Sequence, residues 1–398
     1  MTKLGVEQLS QANFGSKRIG LLTNHTGLVF ASKNPNSSFE STIDILHRDF
    51  NLVKLFAPEH GVRGNLQAGV TLDGYIDERT GLPVVSLYGA TRRPTVEMLA
   101  DIDVFAFDIQ DVGSRFYTYM YSMAYAMEAC AANGKEFVVF DRPNPLGDAV
   151  EGNLLEPECK SFIGLYPMPQ RYGLTIGECA MLFNTEFGIG CNLTVVKMEN
   201  YTRNMYWEDT GLPWVLPSPN IPTPETCFVF NATCIFEGTN VSEGRGTTKP
   251  FHIVGAPWLN GQELADELAM YNLPGVHFRP HYFTPVPYLP NGKCINELCG
   301  GVEVHVTDQA AFRPVKTGVT MLYTIKKLGG KNFAFLPPYH DKGKHMIDYN
   351  TGGTYVREGM PLADVLALYE KDAAQWRKLK RKYELYSELT SKLSKAKP

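Results

Sequence analysis

A chain of 398 residues is long enough for two domains with cores of their own. With 44% hydrophobic and 20% charged residues it has an ordinary globular composition, and a net charge of −4 gives no sign of nucleic-acid binding. No apolar run reaches the length that a membrane span needs.

The run KRIGLLT over 17–23 reads as a buried strand ending in Asn24-His25-Thr26-Gly27. Residues 39–50 have helical spacing, with Ile43, Leu46 and Phe50 on one face. A strand over 52–56 stops at Pro58, and Glu59, His60, Gly61, Val62, Arg63 and Gly64 follow. A carboxylate, an imidazole and a guanidinium thus crowd into five residues at a strand end, in a loop that proline and glycine favour. A third strand is expected over 82–87, a short helix over 94–100 and a fourth strand over 103–107, which runs into DIQDVGSR at 108–115. A long helix over 117–132 and a fifth strand over 137–140 come next, and Asp141-Arg142-Pro143-Asn144 closes the series.

Strands alternating with helices imply crossover connections and a mostly parallel sheet, so the fold class is α/β and Rossmann-like. In such a sheet the polar residues that follow each strand gather at one edge and form a cleft. There is no G-x-G-x-x-G after the first strand and no phosphate-binding G-x-x-x-x-G-K-[ST], so no nucleotide cofactor is indicated.

Beyond the fifth strand, a helix over 174–187 carries a capping box of Thr175 and Glu178, and a strand is expected over 193–198. PSPNIPTP at 217–224 is a stiff, extended loop with Asn220 at its centre. A helix over 225–236 leads into EGTNVSEGRGTT at 237–248, a loop expected to be too polar to bury itself. Further helices are expected over 260–271, 313–328 and 361–386, and a half-exposed strand over 302–306. Residues 370–398 read as a solvated basic tail. The N-terminus lacks a basic segment followed by an apolar one, which reads as cytoplasmic; the alternative is a periplasmic or secreted protein whose signal was removed. The cysteines are scattered, most of them expected as buried thiols; Cys294 and Cys299 are close, but one Cys-x4-Cys is weak evidence for zinc.

Glycoside cleavage needs one carboxylic acid to protonate the leaving oxygen and a second group at the anomeric carbon or on water. Glu59 is the natural acid, with His60 or nearby carboxylates to tune it; Glu243, Glu237, Asp108, Asp111 and Asp141 compete for the second role. Arg115, Arg142 and Arg245 could clamp a substrate carboxylate, although a salt bridge to a local aspartate is the blander reading for at least one of them. A rival chemistry would gather His25, His60 and Asp108 around a divalent ion.

The stretches GLLTNHTG (20–27), LFAPEHGVRG (55–64), DIQDVGSRFYTY (108–119), DRPNPLG (141–147), PSPNIPT (217–223) and EGTNVSEGRGTTKPF (237–251) resemble, in collinear order, the bacterial exo-β-N-acetylmuramidase (NamZ-like) family. The resemblance is sharper over the first 250 residues than over the last 150. It implies a Rossmann-like domain over 1–250, a smaller α/β domain over 251–398, and a cleft near their junction. It also implies release of terminal β-linked N-acetylmuramic acid from the non-reducing ends of peptidoglycan fragments, with Glu59 in the PEHG motif as the catalytic acid. The expected catalytic set is therefore Glu59, His60 and Glu243. The expected substrate-binding set is Asn24, His25, Arg63, Asp108, Asp111, Arg115, Tyr117, Asp141, Arg142, Asn144, Asn220, Glu237, Thr239, Asn240 and Arg245. The expected partner is a muropeptide or a disaccharide of N-acetylmuramic acid and N-acetylglucosamine, with no cofactor, metal or nucleic acid.

Overall fold

A computed structural model of the chain describes residues 1–10, 14–30, 39–58, 61–64, 74–89, 91–287, 292–338 and 343–387. Six strands run parallel: β1 (Ile19–Thr23), β4 (Leu52–Ala57), β6 (Pro83–Ser86), β7 (Val104–Asp108), β8 (Glu136–Phe140) and β9 (Asn192–Val196). β2 (Leu28–Val29) and β3 (Glu40–Ser41) form a separate small ladder, and β5 (Tyr75–Ile76) adds an antiparallel edge to β6. The large sheet has the order β5-β6-β4-β1-β7-β8-β9. Counted along the chain, its parallel strands stand 3-2-1-4-5-6. This is the doubly wound order, with its switch point between β1 and β7, where ligands of such sheets bind.

The strands form because both of their faces are covered. Phe105, Phe107, Phe137 and Val139 point into one core, and Val104, Ala106, Val138 and Phe140 into the other. The first core is roofed by α3 (Tyr119–Ala132) and α4 (Ile176–Glu186), the second by α1 (Thr42–Asp49); α2 (Val96–Leu99) is a single turn. Helix α4 begins with the capping box expected for it: Glu178 N–H donates to Thr175 Oγ1 at 3.2 Å, and Thr175 N–H to Glu178 Oε2 at 3.0 Å.

The second sheet is antiparallel, in the order β10-β12-β11, from β10 (Ile253–Ala256), β11 (Val276–Phe283) and β12 (Cys299–Val306). Neither β10 nor β11 was apparent in the sequence; β11 carries Pro280 and lies at an edge, where proline breaks no central ladder. Around this sheet lie α6 (Pro224–Thr233), which follows the one-turn α5 (Trp207–Thr210), and then α7 (Gly261–Ala269), α8 (Pro314–Gly329), α9 (Met346–Thr351) and α10 (Leu362–Lys380). Their core is continuous with Val112, Phe116 and Leu146 from the strand-end loops of the large sheet.

The C-terminal segment differs from the expected solvated tail. Helix α10 stops at Lys380, and Ala373 and Trp376 are buried in a core of the large sheet. Residues after it strap back across the first half of the chain: Tyr386 Oη donates to Asp141 Oδ2 at 2.7 Å and Leu385 N–H to Glu178 Oε1 at 2.7 Å. The expected basic tail beyond 387 lies outside the described residues. Among the described residues no helix is long and apolar enough to cross a membrane.

Candidate active site

The loops after β1, β4, β7 and β8 do meet at one edge of the large sheet. Pro58 and Gly61 are buried at the end of β4; Glu59 and His60 between them lie outside the described residues. The chain then turns at Gly64 with φ +72°, against the His25 ring, where a Cβ would stand 2.8 Å from Cγ. Only glycine meets both demands. Arg63 fastens this loop from behind: Nε donates to Asp77 Oδ1 at 2.6 Å and Nη2 to Asp44 Oδ1 at 3.1 Å. Its guanidinium, with help from Thr80, holds the Asp77 carboxyl down at about 2.

Most of the other polar groups at this edge hold each other. Arg142 grips Asp108 with two bonds, Nε to Oδ1 at 2.5 Å and Nη2 to Oδ2 at 2.8 Å, and both side chains are fully buried. Thr42 Oγ1 donates to the same carboxylate at 2.5 Å. Asp141 accepts from Arg142 N–H, Gly177 N–H, Thr175 Oγ1 and Tyr386 Oη, so it caps α4 and anchors the C-terminal strap. Asn144 folds onto Leu146 N–H and Leu174 O. Asn24 Oδ1 accepts from Thr26 N–H and Oγ1, and Thr26 Oγ1 accepts from Gln110 N–H across the switch point.

Besides Asp141, two buried charged groups here have no ion partner within reach among the described residues. Asp111 accepts from Tyr172 Oη at 2.5 Å and Gly113 N–H at 2.8 Å, while Oδ2 is buried without a hydrogen bond. Burial pushes its carboxyl up to about 6. Arg115 is wholly buried; it donates from Nη2 to Asn350 O at 2.8 Å, and burial lowers its guanidinium from the usual range. Tyr117 lies edge-on to Tyr119 and Phe230.

The loop 237–248 departs from the expectation that it could not bury itself. Thr239, Val241, Ser242 and Glu243 are buried. Arg245 reaches Glu237 and Glu243, and Lys293 pairs with Glu243 at 2.5 Å while donating to the carbonyls of Phe236, Thr239 and Val241. Burial opposes the Glu243 charge, but Lys293 and Arg245 outweigh it and hold the carboxyl below its ordinary value. Asn240 bonds the backbone of Asn332 and Ala334. A dense set of complementary charges can bury itself because each desolvated group finds a partner.

Between the proline-rich loop, the loop 246–250 and the small sheet lies a cleft of about 750 Å³. The proline-rich loop gives it Pro219, Asn220 and Pro222; the loop 246–250 gives Gly246, Thr247, Thr248 and Pro250; the far wall is Ile253, His281, Phe283, Thr284 and Val286. The proline-rich loop is tied to the sheet edge, since Tyr119 Oη donates to Pro217 O at 3.0 Å and His25 Nε2 to Leu216 O at 2.7 Å. Arg279 donates to His281 Nδ1 at 2.8 Å, and burial together with that cation lowers the His281 pKa. An adjoining cavity of about 330 Å³ shares Pro222 and Thr248 and adds Lys249, His252 and Glu303. Such a cleft offers neutral donors and acceptors beside apolar walls, the character of a small-molecule site.

Of the expected site residues, Asn220 lines this cleft, and His25 and Tyr117 stand with the loops beside it. Arg115, Arg142 and Arg245 do not line it; their guanidinium groups are turned to protein partners. Thr247, Thr248, His281 and Phe283 are not among the expected site residues. The one signal for the last two was the i, i+2 spacing that places both on one face of a strand. Among the described residues no three His, Cys, Asp or Glu side chains come together as a metal site. A cavity of about 560 Å³ on the far side, lined by Lys3, Glu7 and Arg48 among others, contains none of the motif residues.

The fold defines a class: two-part α/β proteins in which a doubly wound, mostly parallel sheet is followed by a smaller antiparallel sheet. The chain belongs to the exo-β-N-acetylmuramidase NamZ family, whose N-terminal family model matches residues 19–225 and whose C-terminal model matches residues 228–386. It is 50% identical over 377 residues, 93% of this chain and 87% of the relative, to the peptidoglycan β-N-acetylmuramidase NamZ of Bacillus subtilis (strain 168). Two crystal structures of DUF1343 family proteins from Bacteroides fragilis NCTC 9343 are similar to it. One has a TM-score of 0.86 at 40% identity, covering 97% of this chain and 99% of the other; the second has 0.76 at 30%, covering 98% and 99%.

Proposed function

We propose that the protein is an exo-acting glycoside hydrolase that releases terminal β-linked N-acetylmuramic acid from the non-reducing ends of peptidoglycan fragments. The observation that carries this reading is the 50% identity to a peptidoglycan β-N-acetylmuramidase along 93% of the chain. The sugar is assigned to the 750 Å³ cleft, its apolar face against Phe283 and Pro250 and its hydroxyl and acetamido groups toward Asn220, Thr247 and Thr248. Glu59, at the end of β4, is assigned as the acid that gives its proton to the glycosidic oxygen as the bond to the anomeric carbon breaks. Water completes the product.

The lactyl carboxylate, which distinguishes muramic acid from glucosamine, needs donors. The arginines at the strand ends are engaged, and Lys249 on the adjoining cavity is paired with Glu303, so the reading gives this role to the Gly246–Thr248 segment. Glu243 is read as a structural carboxylate, because Lys293 and Arg245 hold it.

The test is release of a chromophore from its β-N-acetylmuramic acid glycoside, beside the N-acetylglucosamine analogue and with chelator in a parallel sample. Release from the muramic compound alone, unaffected by chelator, is expected. Glu59→Gln should lower turnover by about 10²- to 10⁴-fold, the usual contribution of a general acid, at an unchanged melting temperature. Equal release from both glycosides, or an active Glu59→Gln variant, would overturn the sugar assignment or the acid assignment respectively.

A further inference from the structure

Cys294 stands apart from the other seven cysteines, all of which are buried, because its side chain is partly exposed. It sits in a turn of unusual backbone: Cys294 has φ +53° and Asn296 φ +61°, the left-handed region that non-glycine residues rarely occupy. Glu297 N–H bonds back to Cys294 O at 3.1 Å, and Asn296 N–H is held by Pro285 O at 2.8 Å. The turn curls the chain so that Cys294 packs onto a small cluster of Ile253, Phe283 and Cys299. Cys299, at the first residue of β12, lies in that cluster beside it; its thiol donates to Glu297 O at 3.6 Å and the Cys294 thiol to Asn240 O at 3.9 Å. One thiol is partly exposed, and its neighbour is buried in the cluster that the first packs against.

We infer that Cys294 and Cys299 are a redox-active dithiol, which a peroxide oxidises to an intramolecular disulfide across the turn behind the cleft wall. The half-exposed Cys294 thiolate attacks one peroxide oxygen, the O–O bond breaks, and the leaving hydroxide takes a proton to become water. Cys294 is then a sulfenic acid. The Cys299 sulfur, losing its proton, attacks the Cys294 sulfur; the S–O bond breaks and a second water leaves. Two thiols have lost two electrons and the peroxide has gained them.

The environment sorts the two roles. Interaction with the neighbouring thiol lowers the Cys294 pKa and favours its thiolate, whereas the same interaction and burial raise that of Cys299. Position gives the bridge a consequence. Ile253 and Phe283 line the 750 Å³ cleft, and Lys293, the residue before Cys294, pins Glu243 and the loop 237–241. Closing the disulfide would fix that wall.

The experiment treats the fully reduced full-length chain with hydrogen peroxide, denatures it in an alkylating reagent, and reads intact mass and a peptide map. The expected result is two alkylations fewer, one cross-linked peptide joining Cys294 and Cys299, and recovery of both sites on reduction. In Cys299→Ser the same treatment should leave a sulfenic acid on Cys294 that a dimedone-type probe captures. Full alkylation of all eight cysteines after peroxide, a bridge to a different cysteine, or sulfinic acid on Cys294 in the unsubstituted chain would overturn the proposal. So would Cys299→Ser without probe capture.

Discussion

The strand-end edge of the large sheet and the surroundings of the loop 237–251 in the smaller half each bury a pair of carboxyls that they treat in opposite ways. At the sheet edge, Asp111 and Asp141 are buried on hydroxyls and peptide N–H groups with no cation beside them, and burial raises both. Around the loop, Glu243 is held down by Lys293 and Arg245; on β12 nearby, Lys249 and Arg279 bring Glu303 to about 2 despite burial. The first two carboxyls bind protons readily and the second two stay ionised; Asp108, at the same sheet edge as the first two, is instead paired with Arg142. The cleft beside the loop is lined mainly by neutral groups. Charge density in the sequence therefore marks the scaffold and not the lining of the cleft.

The sharpest way to break this comparison is to remove the cation from the ionised side. Lys293→Met leaves Glu243 with Arg245 alone and strips donors from three loop carbonyls. Breaking a buried pair in this way costs about 3–5 kcal/mol, read as a lower urea midpoint at neutral pH. The sign with pH is fixed by the depressed Glu243 pKa. The pair's stabilisation is present above the unfolded carboxyl's pKa and is lost as pH falls through the folded value, so wild type and variant should converge in acid. A midpoint unchanged at neutral pH would show the network to be ornamental.

The proton-binding side makes the opposite prediction, with a smaller effect. Asp111 titrates near 6 in the folded chain against 3.8 as its ordinary value. The folded state then holds the proton more tightly, so Asp111 weakens stability as pH rises from about 4 to about 6, by a total of about 2–3 kcal/mol. Asp111→Asn keeps an oxygen for Tyr172 and Gly113 and removes the titration. Its unfolding free energy should change less over that window, and it should match or exceed wild type near neutrality. A wild-type slope that persists in Asp111→Asn would move the titration to Asp141 or Glu178, the latter also raised by burial, to about 7.

How much of this was legible in the sequence follows from what each segment is buried against. The parallel strands were legible because both faces are covered, which leaves near-continuous apolar runs such as VFAF at 104–107. Strand β11, V-H-F-R-P-H-Y-F, was not, because an edge strand with one wet face mixes polar residues and even proline into its pattern. The convergence of strand-end loops was legible from topology alone. Whether their charges faced ligand or each other was not, since Asp108 and Arg142 are 34 residues apart and only the fold brings them to a two-bond contact. Likewise the cation that lets 237–248 bury itself, Lys293, lies far along the chain from the loop it neutralises.

The smallest predicted effect tests the cleft itself. Asn220 is held between prolines at 219 and 222, in a loop further fixed by Ile221 N–H to Ser218 O at 2.9 Å and by Trp214 Nε1 to Ile221 O at 3.1 Å. Its side chain is partly exposed and lines the cavity. Removing it therefore disturbs little packing, and Asn220→Ala should leave the unfolding midpoint within about 0.5 kcal/mol of wild type. If its amide bonds the sugar, the loss is one neutral hydrogen bond, about 1 kcal/mol or roughly a fivefold rise in KM. An effect confined to KM would mark uniform binding, and an equal fall in kcat and kcat/KM would mean that Asn220 acts on the transition state instead. An unchanged KM and kcat would place the sugar outside this cleft, and the neutral lining would lose its role in the comparison while the two charged regions kept theirs.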